Sequence, residues 1–181
     1  MAKVRNNIVI RGLSGSLGDQ LVIKQDRTGR TIVSVKPVFD EDRTFSESQI
    51  AQQEAFREAT AYAKSKKDEA VYQAKVAAGA YSTYNVAVAD WFHPPEIIEV
   101  DLSAWNGGVG EVIRIKAVDD VQVTRVTVVI TDEADAVIEQ GEAEQAEGLW
   151  WDYTTTAEAS GNPKVLVSAR DLPGHIAEAV K

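Results

Sequence analysis

Glycines at positions 12, 15 and 18 stand at every third residue and lead into Asp19. Closely spaced glycines can cradle a phosphate, but a P-loop ends in Lys and Ser/Thr to supply charge and a magnesium ligand. Here an acid follows Gly18, and a β-type run follows the acid, so tight turns or a bulged strand are expected. Nucleophilic catalysis is the second chemistry to consider. Ser14 and Ser16 lie beside glycines, yet no Gly-x-Ser-x-Gly elbow occurs, and the two histidines, His93 and His175, sit beside prolines and turns. Metal is the third. Asp119, Asp120, Asp132, Asp135 and Asp171 lie in turn-forming segments, without the Asp-x-Asp-x-Asp-Gly pattern of a calcium loop, and read as turn-stabilising acids. With no cysteine in 181 residues, thiolate sites and disulfides are excluded. No cofactor is implied, and the chain is not expected to be an enzyme.

Trp105, Trp150 and Trp151 offer a fourth chemistry, stacking on a sugar or packing against a partner. Adjacent residues on a strand face opposite sides, so one of Trp150 and Trp151 belongs to the core and the other can be exposed. Glu142, Glu144, Glu147 and Glu158 read as a solvated acidic face. A glycosidase pair would need a cleft that a small sandwich does not supply.

Three stretches would position these residues. In the first 38, the apolar runs Ile8–Ile10, Leu21–Ile23 and Thr31–Val35 alternate with glycine-containing turns, predicting a β-ribbon closed by Pro37. Residues 44–93 predict short helices. Thr44 and Glu47 have capping-box spacing, a further helix runs from about Ser82 to Phe92, and Pro94-Pro95 stops it. Residues 96–181 predict seven short strands with turns between them, the spacing of a β-sandwich. The expected fold class is α+β: residues 1–95 form a β-ribbon plus helical domain and residues 96–181 an antiparallel sandwich.

Charge divides the same way. Residues 1–95 carry thirteen Lys+Arg against eleven Asp+Glu, net +2, and residues 96–181 carry six against seventeen, net −11. An overall charge of −9 disfavours sequence-independent nucleic-acid binding. No stretch is long and apolar enough for a membrane span. The first seven residues lack the apolar core of a secretory signal, so a cytoplasmic location is expected, with signal-independent export left open.

The second half resembles bacterial Ig-like domains. The matching segments are Ile113–Asp120, Val126–Asp132, Trp151–Thr156 and Val165–Asp171 with Pro173-Gly174-His175. They include an aromatic Tyr-Thr strand followed later by Ala-x-Asp-x-x-Gly. That resemblance implies a sandwich and no particular activity. The first half is loosely similar to uncharacterised bacterial proteins with a Gly-x-Ser-Gly-x-x-Gly segment and a Gln-rich helix, matched here by Gly12–Gly18 and Ser48–Phe56.

A ribbon too small to bury its own core, together with segregated charge, points to a structural protein that self-assembles into a homo-oligomer or filament. Its interface would comprise Ile8, Ile10, Leu21, Ile23, Arg27, Arg30, Ile32 and Val35 on one copy and acids such as Glu142 and Glu144 on another. The partners would be further copies of the chain. Two alternatives stand beside it. One is a monomeric carbohydrate- or protein-binding module using Trp105, Trp150 or Trp151. The other is a component of a phage-like particle.

Overall fold

The computed structural model describes residues 2–4, 12–18, 20–26, 28–38, 44–77 and 82–181. The chain is α+β, and its contacts divide it into two compact units, Met1–Glu47 and Ser48–Lys181. The helices therefore share a unit with the strands that follow them. The last helix ends at Phe92 and the next strand begins at Glu96.

The first unit is an antiparallel sheet of β1 (Ala2–Val4), β2 (Gly15–Leu17), β3 (Leu21–Gln25) and β4 (Thr31–Val35), in the order β1-β4-β3-β2. The glycine-spaced segment thus supplies an edge strand as well as turns. Gly12 and Gly18 adopt positive φ on either side of it, which only glycine does at low cost. The β3–β4 connection is fastened by Asp26. Its carboxylate accepts hydrogen bonds from the Thr28 and Arg30 backbone N–H groups, from Thr28 Oγ1 and from Arg30 Nε. The hydrogen bonds from Thr28 and Arg30 hold this carboxyl well below the usual carboxylate range.

The second unit opens with three helices. α1 (Glu47–Lys66) is 20 residues, about 30 Å long. It is rich in good helix formers and buries only Ala59 and Ala63. It begins at Glu47 itself, so that residue is the first of the helix and not the third, as a Thr44 capping box would require. α2 spans Ala70–Ala77 and α3 spans Thr83–Phe92. Ser82 caps α3 by accepting from the Asn85 N–H, and Pro94-Pro95 follow at its end.

Two four-stranded antiparallel sheets complete the unit. One contains β5 (Glu96–Asp101), β6 (Val112–Val118), β9 (Glu144–Gln145) and β10 (Trp150–Thr154), in the order β5-β6-β10-β9. The other contains β7 (Arg125–Thr131), β8 (Val137–Glu142), β11 (Lys164–Arg170) and β12 (Ile176–Val180), in the order β12-β11-β7-β8. The seven expected strands are present, and the two-residue β9 is an addition. Period-two alternation turns Ile113, Ile115 and Ala117 of one sheet and Val126, Val128, Ile130, Val165, Val167 and Ala169 of the other into one buried cluster. Each large aliphatic buried there contributes about 1.5–3 kcal/mol.

Asp side chains build the turns the sequence marks by them, and Thr155, expected in a strand, ties two further segments together. Buried Thr155 donates Oγ1 to the carbonyls of Gly108 and Glu111 and accepts from the Glu111 N–H. Asp132 and Asp119 each accept two backbone N–H groups of their own turns. Gly107 has no room for a side chain, since a Cβ there would lie 2.2 Å from the Ala159 carbonyl oxygen.

Candidate functional site

In the N-terminal sheet the register puts Leu17 opposite Leu21 and Leu21 opposite Val35, and pairs Ile23 with Val33. These residues share one face by strand alternation. Ile32 pairs with Lys24 and belongs to the other face, so the expected interface set does not lie on a single surface. Among the described side chains of this unit only Ile23 and Thr31 are buried. Leu17 is 63% exposed and Val35 76%. Arg30 is exposed and ion-paired to Asp26 at 2.7 Å. Ile8, Ile10 and Arg27 lie outside the described residues.

The acidic residues sit where the chain changes sheets. Glu142 ends β8, Ala143 is buried and donates its N–H to Val126 O, and Glu144 begins β9. Between the two sheet edges lies a groove of about 580 Å³, lined by Glu142, Glu144 and Asp152 together with Gln140, Tyr153 and Thr154 among others. Glu142 is paired with Arg125 at 3.3 Å and Asp152 with Arg114 at 3.2 Å.

Trp151 is 8% exposed and Trp105 9% exposed, and both belong to the core. Trp150 takes the outward position, half-buried, with the Arg114 guanidinium 4.8 Å from its ring centre and Lys116 Nζ at 5.7 Å. Alternation along β10 accounts for the division between Trp150 and Trp151.

A polar network that the sequence did not single out lies where the helices meet the loops of the sheets. Tyr72 Oη donates to Asp90 Oδ2 at 2.6 Å, and the Tyr62 and Tyr72 hydroxyls are 2.7 Å apart. Asp90 is fully buried and its Oδ1 has no hydrogen-bond partner among the described residues. Burial pushes this carboxyl up to about 6; the Tyr72 hydrogen bond opposes the rise, and Asp119, Asp171 and Asp120 add to it. Burial also raises the Tyr62 and Tyr72 phenols. His93 Nδ1 contacts Asp120, and His175 Nδ1 lies 2.9 Å from Asp171 Oδ2, with the Trp91 ring set edge-on to His175. Lys75 Nζ donates to the Asp120 carbonyl. The arrangement can store a proton on Asp90 and tie the helices to two loops. Among the described residues no three His, Asp or Glu side chains are grouped to hold a metal.

No family model matches the chain. No curated protein matches it either. Among solved structures, CopC from Methylosinus trichosporium OB3b is similar at 16% identity, over 48% of this chain and 87% of that one, with a TM-score of 0.37.

Asp90 escaped sequence reading because one acid in Ala89-Asp90-Trp91 looks like any helix-surface carboxylate. The signal was its position between Ala87 and Trp91 on an otherwise apolar helix. Tyr72→Phe removes the donor to Asp90 and the partner of Tyr62, leaving a buried carboxylate with neither oxygen bonded. The expected loss is about 1–3 kcal/mol, read as a lower urea midpoint. An unchanged midpoint would show that the network carries no stability.

Proposed function

We propose that this chain is a non-enzymatic structural subunit that assembles with copies of itself through its N-terminal sheet, with the two C-terminal sheets serving as an Ig-like sandwich. The observation that carries the reading is the row Leu17, Leu21 and Val35. It crosses three adjacent strands of a sheet in which, among the described side chains, only Ile23 and Thr31 are buried, and both outer members of the row are open to solvent. Covering Leu17 and Val35 would add about 1.5–3 kcal/mol for each side chain. The outer edges of β1 and β2 have no strand partner among the described residues, which makes strand addition available to the same contact. The division of charge favours unlike surfaces of different copies meeting, the geometry of rings and filaments.

Sedimentation velocity and light scattering of the full chain test this. Particles larger than the 19.7 kDa monomer are expected. They should shrink as salt rises from about 0.1 to about 1 M and the Debye length falls from about 10 to about 3 Å. Leu17→Glu, at an exposed position, should leave the fold intact and move the sample toward monomer at least tenfold in concentration. A wild-type protein that is monomeric at every salt concentration would overturn the reading.

A further inference from the structure

We infer that the acidic groove between the two C-terminal sheets is the receiving surface for the β3–β4 hairpin end of a second copy; this rests on the assembly reading above. The groove is bounded by two incomplete strand edges. β8 is an edge strand, paired among the described residues with β7 alone. β9 covers β10 only opposite Trp151 and Asp152, so Tyr153 and Thr154 have no strand partner on that side among the described residues. Both edges open onto the same space of about 580 Å³. Open backbone edges beside a groove are what an incoming extended segment requires, and side chains at the rim select which segment it is.

Charge selects the occupant. Three carboxylates, Glu142, Glu144 and Asp152, line the groove and no Lys or Arg does. Arg125 and Arg114 partly offset two of them from outside the lining, and Glu144 stands exposed between them in sequence. Residues 1–36 hold seven Lys+Arg against two Asp+Glu, the most basic part of the chain. Lys24, Arg27 and Arg30 are concentrated at the hairpin end, and Lys24 and Arg30 are exposed there. The one acid among them, Asp26, is ion-paired to Arg30 at 2.7 Å, so by formal charge Lys24 and Arg27 leave this segment net positive. A second copy supplies that end without any further partner, and each copy carries both halves of the contact, so the association propagates head to tail.

Charge exchange in the full chain tests it. Glu144→Lys and Lys24→Glu both alter exposed positions, so the fold should survive, as circular dichroism would verify. Each alone should raise the concentration for half-assembly by about tenfold or more. The double variant should recover most of the loss, because the pair is restored with its signs reversed. Wild-type assembly with Glu144→Lys assembling equally well would overturn the groove assignment and leave the N-terminal sheet reading standing. Two damaging single variants with no recovery in the double would overturn the pairing of these two surfaces. A monomeric wild type would overturn both readings at once.

Discussion

The urea midpoint of the wild-type protein should fall as pH rises from about 4 to about 6, and that of Asp90→Asn should not follow it. Asp90 titrates near 3.8 when unfolded and near 6 in the folded chain. The folded state therefore holds its proton more tightly. The stability this contributes is complete below the unfolded value, is lost as pH rises through the folded value, and is constant above it. Carrying the carboxyl from 3.8 to about 6 corresponds to about 3 kcal/mol. The cause is placement. Asp90 lies on α3 with its Oδ1 unpartnered, while Asp119 and Asp120 after β6 and Asp171 after β11 add negative charge around it. Tyr72 gives it one hydrogen bond and Tyr62 reaches it only through Tyr72. Asparagine keeps an acceptor for Tyr72 and removes the titration. Asp26 and Asp101 are shifted the other way, so their contributions are lost as pH falls below the usual carboxylate range, outside this window. Parallel curves for the two proteins would show that Asp90 does not titrate in a buried state.

Asp171→Ala should cost about 3 kcal/mol, and Asp171→Asn about 1 kcal/mol. The Asp171 side chain is completely buried. Its Oδ1 accepts the Gly174 and His175 backbone N–H groups, both at 2.6 Å, and its Oδ2 faces His175 Nδ1. Alanine leaves two partly buried N–H groups with no acceptor at a turn where Gly174 adopts φ +103. Asparagine retains the Oδ1 acceptor and weakens only the bond to the imidazole. The midpoint of thermal or urea unfolding reads both. Equal losses for Ala and Asn would mean that the contact with His175, and not the two backbone bonds, carries the stability.

This turn explains the Ala-x-Asp-x-x-Gly pattern in the sequence. The aspartate is spaced three residues from the glycine because its carboxylate must reach the N–H groups of positions i+3 and i+4. The glycine is there because the backbone between them takes a left-handed φ. In the Tyr-Thr strand Tyr153 lies in the core and Thr154 is exposed, while the next residue, Thr155, binds across to Gly108 and Glu111.

Of the candidate assembly residues, the sequence alone located β3 and β4 through the runs Leu21–Ile23 and Thr31–Val35; it did not mark Ala2–Val4 as a strand, and the expected run Ile8–Ile10 lies outside the described residues. It did not sort them by face, and Ile32 was grouped with residues that lie on the other side. Faces depend on register, and register depends on which strand lies beside which. The acids at Glu142 and Glu144 were legible as exposed charges. Their place on a groove between two open edges was not, because the groove exists only where the chain passes from one sheet to the other at Ala143.

What the sequence determined by itself is everything that a few consecutive residues can decide. The positions of the helices and of most strands, though not of β1, β2 or β9, follow from hydrophobic period, the ends of α3 from Ser82 and Pro94-Pro95, turns from Gly, Asp and Pro, and the division of charge from counting. Tertiary structure alone decided that Tyr62, Tyr72, Asp90, Asp119 and Asp171 would meet, although more than a hundred positions separate the first from the last. No local pattern encodes such a meeting. A carboxylate's environment is set by what packs over it, and only the closing of the helices onto the sheet loops removes water from Asp90 and makes its proton hard to lose.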